Sequence, residues 1–419
     1  MSRSLPVHLP PSACQFVAAW VALAALVAPV AAAEGIVSGN YKTWSLEQPN
    51  VHRRSAYRDM LRDGTVRDET AFDQVATFKL SELTREENLF DLPKLRRQLR
   101  YDLSLAGRAP DRSAHDRIVG LAMEHLPSIV DDRAYHAGTR FNALLLLGEL
   151  NSVEERPFPP AAFAVPLADA LPLLVAWLES AADDGSTRDF IPLGALLGIL
   201  RHAQQGIADE PLRQRALQAA VALAGQSQPP EQRSAVGHDW LRRRAIHLIA
   251  WAVKPGATPL DDQAVALVWN TIDDPSASLK LQVEGALAWS LLSPKVPQEQ
   301  LDSAATLSKL SALTGRVLKS ELHSATATPR FASRQSRRVV AGQLGLLSHA
   351  CRQLGVDVVS LRRSGPPTNL AELSDLYCGL KSWIGVATDP RLASRQAAAA
   401  LADALTLLEL KPPVVAHNP

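Results

Sequence analysis

Six stretches of the chain can be laid over one another on a single pattern, and this repetition constrains the fold more than any other feature. From a position r, an apolar or small residue stands at r+3 and r+7, a small one at r+8, and usually Leu at r+10. The fullest copy is Arg140, Ala143, Leu147, Gly148, Leu150. The next two are Phe190, Leu193, Leu197, Gly198, Leu200 and Arg242, Ala245, Ile249, Ala250, Ala252. Two more follow as Gln282, Gly285, Trp289, Ser290, Leu292 and Arg337, Val340, Leu344, Gly345, Leu347. The last, Arg395, Ala398, Ala402, Asp403, Leu405, is degraded. Offsets of three, seven and ten line up on one side of an α-helix, so each copy predicts an apolar stripe. The small residue beside the stripe lets a second helix approach closely. Steps of 50, 52, 40, 55 and 58 residues between copies point to a helical solenoid, an architecture that presents surfaces.

Helix signals between the copies agree. Residues 91–106 carry Leu92, Leu95, Leu99 and Leu103 on one face, with Pro93 in the opening turn. A first pair of helices is expected at 113–129 and 134–150, with Asn151 as C-cap, and a second at 167–182 and 187–204. Helices at 209–225 and 231–253 follow. Thr258-Pro259-Leu260-Asp261 reads as N-cap, N1 proline and acidic N3. Asp274-Pro275 and Asp389-Pro390 read as the same device. A longer helix is expected at 297–320, a polar linker at 323–329, and further helices near 331–354, 369–386 and 390–410. Ala and Leu dominate the apolar residues and aromatics are only 5%, which favours helix over sheet. No segment alternates like a strand between hairpin turns. The expected class is all-α.

The turn-plus-helix pattern resembles the HEAT repeat of the armadillo-like class, in which an acidic turn precedes a second helix that opens on a basic residue and continues through Ala to Leu-Gly. Asp132, Arg140, Ala143, Leu147 and Gly148 match it closely. Asp184 with Leu197-Gly198, and Asp274-Pro275 with Lys280, match less fully, and Arg337 with Leu344-Gly345 lacks the acidic turn. The resemblance covers about residues 110–410 and implies a superhelix of irregular helical hairpins. The whole is similar to exported HEAT-like proteins of bacteria, and the uneven steps depart from a regular array.

The N-terminus adds an address. Arg3 precedes an uncharged apolar run at 16–30, and Ala31-Ala32-Ala33 offers small residues before Glu34. These are the parts of a secretory signal peptide, with cleavage expected between Ala33 and Glu34. An uncleaved anchor helix is the alternative. Cys14 precedes the apolar run and is wrongly placed for a lipid anchor. The expected layout is a leader at 1–33, an N-terminal arm with short helices at 34–90, a repeat body at 91–410 and a tail at 411–419. Once Arg3 leaves with the leader, 43 basic residues face 43 acidic ones. That neutrality argues against nucleic acid as a partner. No stable membrane insertion is expected after cleavage. In an oxidising compartment Cys351 and Cys378 could bond and close a loop of about 28 residues, or remain buried thiols.

Signatures of chemistry are missing. His-Glu-x-x-His, Cys-x-x-Cys, Gly-x-Ser-x-Gly and phosphate-cradling glycine loops do not occur. The acidic pairs Asp131-Asp132, Asp183-Asp184, Asp261-Asp262 and Asp273-Asp274 fall at helix starts or turns, where capping accounts for them. No cofactor, metal or catalytic group is expected. Two basic clusters remain, Arg242-Arg243-Arg244 and Arg337-Arg338. They could solvate helix starts and bond turn carboxylates, or form a basic stripe on a groove. With Trp240 as an exposed anchor, that stripe is the predicted binding wall for a protein partner. The alternative functions are an α/α-toroid enzyme acting on polysaccharide, or a membrane-anchored accessory protein that keeps its leader.

Overall fold

The computed structural model describes residues 41–156, 162–183, 190–231, 233–297, 301–327 and 341–352, with 376, 378–385 and the single positions 399, 402, 403 and 406. The chain divides into two compact units, Met1–Lys42 and Thr43–Pro419, and all that follows concerns the second.

Its helices are α1 (Val51–Asp63), α2 (Glu69–Ser81), α3 (Leu92–Arg108), α4 (Ser113–Asp131), α5 (Ala137–Glu149) and α6 (Leu171–Asp183). They continue with α7 (Phe190–Gln205), α8 (Glu210–Gly225), α9 (Ala235–Ala252), α10 (Pro259–Thr271), α11 (Leu279–Leu292) and α12 (Ser303–Ala327). Residues 341–352 are also helical. The only sheet among the described residues is the antiparallel pair β1 (Asn151–Val153) and β2 (Val165–Pro166). The fold is all-α.

Side-chain caps fix where the helices start. Asn50, Asp68, Asp209, Ser234, Thr258 and Ser278 each accept a backbone N–H from the first turn of the helix that follows. Pro93, Pro211 and Pro259 occupy opening turns, where a missing N–H is harmless. Helix α1 stops at Gly64, whose φ of 80° a side chain would resist and whose N–H returns to the Met60 carbonyl at 2.8 Å.

Successive helices alternate between two layers. In the odd-numbered layer each of α1, α3, α5, α7, α9 and α11 packs against the next. In the even-numbered layer α2 meets α4, α6 meets α8, and α8 meets α10. The Trp177 indole joins α6 to α4 by donating to Asp131 Oδ1 at 2.7 Å. Hairpin contacts tie the layers together at α1–α2, α3–α4, α4–α5, α6–α7, α8–α9 and α10–α11. One continuous apolar cluster, from Tyr57 to Leu380, lies between and within them.

The repeat pattern acquires a physical meaning here. Gly148 of α5 and Gly198 of α7 face each other so closely that a Cβ on Gly148 would lie 2.9 Å from the Gly198 Cα. The equivalent Gly345 makes no such contact, since nothing described lies within 4 Å of a Cβ there. The r position carries a second device. Arg140 Nε donates to the Val130 carbonyl at 2.8 Å, Arg242 Nε to Ala224 at 2.9 Å, and Gln282 Nε2 to Asp274 at 2.8 Å. Each satisfies a carbonyl at, or just beyond, the C-terminus of the preceding even helix.

Several expectations need correction. Residues 51–81 are not part of an arm leading to a body at 91: α1 and α2 belong to the common core through Tyr57, Met60, Leu61, Phe72, Val75 and Leu80. Asn151 is not a helix cap but opens β1, and α5 ends at Glu149 with Leu150 as its C-cap. Asp274-Pro275 forms a turn, and Ser278 caps α11 instead. The linker expected at 323–329 is helical through Ala327, because no breaker precedes Pro329. Cys351 and Cys378 are free thiols, the first buried and the second exposed, so the pairing is not made. Asp389-Pro390, the degraded copy's start at Arg395 and the tail 411–419 lie outside the described residues.

Candidate interaction surface

The predicted binding wall sits on α9, and the structure turns most of it inward. Arg242 is 7% exposed and is spent on the Ala224 carbonyl. Arg244 is 4% exposed and donates to Glu284 Oε1 of α11 at 3.3 Å. Arg243 is half-buried and pairs with Asp239 one turn back at 3.2 Å. Trp240 is half-buried against the core instead of standing out as an anchor. These residues bind the fold to itself. The reason is positional: α9 is flanked by α7 and α11, so a triplet of arginines spanning about 200° of helix aims at least one into a neighbour. Arg337, Arg338, Ala33 and Glu34 lie outside the described residues.

What the α9 arginines build is a charge cluster between α9 and α11. His247 Nε2 lies 2.6 Å from Glu284 Oε2, while Arg244 approaches the other oxygen. Burial acts to raise the Glu284 carboxyl, but the charge and hydrogen bond of His247, then the charges of Arg244 and Arg243, outweigh it and hold it at about 2.

The even layer has a counterpart. Asp261 of α10 is fully buried and takes Arg213 of α8 through two contacts, Nη1 to Oδ1 at 2.7 Å and Nη2 to Oδ2 at 3.1 Å. The Lys254 N–H and the Thr258 hydroxyl also donate to it, at 2.8 and 2.6 Å. Burial would raise this carboxyl too, yet Arg213 and the two donors hold it at about 2. Beside this pair lies a cleft of about 430 Å³ lined by Ile207, Trp251, Lys254 and Lys295. Its cations are engaged: Lys254 reaches Glu210 at 2.7 Å, and Lys295 donates to the Ala250 and Trp251 carbonyls at 2.8 and 3.2 Å. Near β1, Glu154 is buried under a bidentate Arg100 at 2.8 and 3.1 Å, with Asn151 donating at 3.0 Å.

These cations serve the interior. Arg156, Arg201, Lys309 and Arg316 likewise donate to the carbonyls of Gly107, Gly148, Trp269 and Ile272, all near helix C-termini. Among the described residues no three His, Cys, Asp or Glu side chains converge to hold a metal ion, and no helix is long and apolar enough to cross a membrane.

One exposed face that combines aromatic and basic side chains lies on α3. Its apolar face is the leucine stripe read from the sequence, and Leu92, Leu99 and Leu103 are buried. The opposite face presents Lys94, Arg97, Tyr101 and Arg108, all exposed. At 100° per residue these four fall within about 60° of one another, along about 21 Å of helix. Phe90, just ahead of the helix, is 86% exposed and Tyr101 is 67% exposed. The lone carboxylate of α3, Asp102, is buried and taken up by Tyr57 and Lys79. The exposed part of α3 therefore carries aromatic and basic groups and no acid. This face went unread in the sequence, although the leucine spacing already defines it as the side opposite the core.

No protein family, curated protein or solved structure matches the chain. Any functional reading rests on the geometry above.

Proposed function

We propose that the chain is an exported helical-repeat scaffold that binds another protein through the surface of a HEAT-like superhelix. The observation that carries this reading is the unbroken run of contacts α1–α3–α5–α7–α9–α11 in one layer, with the even helices stacked behind it. Hairpins arranged in that way bury each other's apolar flanks and leave long surfaces free. The binding wall first expected on α9 is replaced by the exposed face of α3, since Arg242 and Arg244 are internal. Export rests on the leader-like segment ending at Ala33. The alternative of a toroidal enzyme on polysaccharide draws no support from the acidic pairs: Asp261 is enclosed by Arg213, and Asp131 accepts from Trp177.

Fractionation and crosslinking of the full-length chain test this reading together. The tagged protein is expected in the exported fraction, and a photoreactive amino acid at position 101 should give a discrete protein-sized adduct in cells. The same residue placed at position 248, which is fully buried, should give none. A chain retained in the cytosol refutes export. Position 101 behaving like position 248 refutes the scaffold.

A further inference from the structure

We infer that the exposed face of α3 is a docking site for an acidic, amphipathic segment of a partner protein. The inference rests on the scaffold reading and names the chemistry that its surface selects. Exposed large aromatics beside arginines are the residue types that anchor protein interfaces. Here Tyr101 has Arg97 one turn before it and Arg108 two turns after it, and the neighbouring α1 adds the exposed Arg54 and Arg58. Competing acids on α1 are neutralised locally: Asp59 pairs with Arg62 at 3.4 Å, and Asp63 pairs with Arg67. Arg108 is held at the rim by its bond to the Glu155 carbonyl at 3.1 Å. A segment bearing carboxylates against Arg97 and Arg108, with apolar side chains over Tyr101 and Phe90, satisfies the charge and the apolar surface together.

The charge is not uniform, and that selects among polyanions. Glu86, Glu87 and Asp91 are exposed around Phe90, with Asp91 4.0 Å from Lys94. A nucleic-acid backbone or an anionic bilayer would meet repulsion at that end. A peptide can match a basic patch with acids and leave the Phe90 end apolar or basic. The geometry therefore favours a protein segment over either polyanion.

Binding of the full-length protein to a fluorescent random copolymer of glutamate and tyrosine tests the inference. Anionic phosphatidylglycerol vesicles and a single-stranded oligonucleotide serve as competing probes. The copolymer should bind, and weaken as salt rises. Arg97→Glu with Arg108→Glu, and separately Phe90→Ala with Tyr101→Ala, should each weaken it by about tenfold or more. Phe90, Arg97 and Tyr101 are exposed, so their changes should leave the melting temperature as it was. Arg108→Glu also gives up the bond to the Glu155 carbonyl, so Arg97→Glu alone is measured beside the pair and should weaken binding with no change in melting. Arg215→Glu, on the exposed side of α8, should leave the affinity as it was. Absent copolymer binding, or binding indifferent to the α3 variants, overturns the inference. So does tighter binding of vesicles or oligonucleotide through the same residues. If position 101 still crosslinks to protein in cells while the copolymer fails, the scaffold stands and the acidic partner falls.

Discussion

Adding one methyl group at Gly148 should separate the two roles a helical glycine can have. In a helix interior Gly→Ala normally stabilises by about 0.5–1 kcal/mol, because alanine restricts the unfolded chain and shields the backbone. Gly120, exposed in the middle of α4 with nothing within 4 Å of its would-be Cβ, should show that gain unopposed. At Gly148 the new Cβ would lie 2.9 Å from the Gly198 Cα, a backbone atom that cannot rotate aside. Helices α5 and α7 must then separate by a few tenths of an ångström along a tightly packed contact. Overpacking of this kind costs about 1–3 kcal/mol. The helix-propensity gain is common to both variants, so the difference between Gly148→Ala and Gly120→Ala isolates the contact: Gly148→Ala should be the less stable by about 1–3 kcal/mol. Urea unfolding followed by circular dichroism reads this directly, with slopes compared to establish that both variants unfold alike. Gly345→Ala should behave like Gly120→Ala even though the repeat pattern equates it with Gly148. Equal stabilisation at 120 and 148 would falsify the close approach of α5 and α7, and with it the reading of r+8 as a packing position.

Three further outcomes follow from the charged interior. Glu284→Gln should lower stability at neutral pH by about 3 kcal/mol, the value of holding a carboxyl at about 2 instead of 4.5. Because the folded value lies below the unfolded one, the contribution is complete above about 4.5 and fades as pH falls toward 2. Unfolding curves of wild type and variant should accordingly converge over that window, and a gap that persists at its acid end would contradict the assignment. Arg242→Glu should impair folding, since it replaces the donor to the Ala224 carbonyl with an acceptor; a variant that melts like wild type would show that this bond is dispensable. In native protein lacking Cys14, a thiol reagent should modify Cys378 readily and Cys351 only on unfolding, because burial pushes the Cys351 thiol up to about 12. Equal reactivity of the two would place Cys351 at the surface.

The repeat pattern made the helices from α4 to α11 legible because their stripes are long and their caps are chemically plain. Thr258-Pro259-Leu260-Asp261 starts α10 as expected, with Thr258 accepting the Asp261 N–H. Helix α1 was expected only as one of the short helices of an arm, because only Tyr57, Met60 and Leu61 of its thirteen residues are buried, too short a stripe to mark it as part of the core. The N-cap of α11 was misplaced by four residues because Asp-Pro is as good a turn as it is a helix start. The site was less legible than the fold. A run of three arginines looks the same in sequence whether it faces solvent or the end of another helix. Which it does depends on tertiary neighbours separated by 18 and 40 residues, Ala224 and Glu284.

That ambiguity has a physical root in how an all-α stack satisfies its backbone. Every helix ends in carbonyls without intrahelical partners, and a two-layer array brings many such ends beside the flanks of other helices, away from water. Cations are the natural donors there, since they satisfy the carbonyl and oppose the negative end of the helix dipole. Arg140, Arg156, Arg201, Arg242, Lys295, Lys309 and Arg316 are all used in this way. In such a chain the positive charge available at the surface is the charge that no helix terminus claims. On α3 that leaves Arg97, and Lys94 beside Asp91, neither donating to a carbonyl among the described residues, next to two exposed aromatics, whereas Arg100 on the flank of the same helix is committed to Glu154. Counting arginines along the sequence therefore overstates the basic surface of α9; subtracting those that cap helices brings the exposed face of α3 forward.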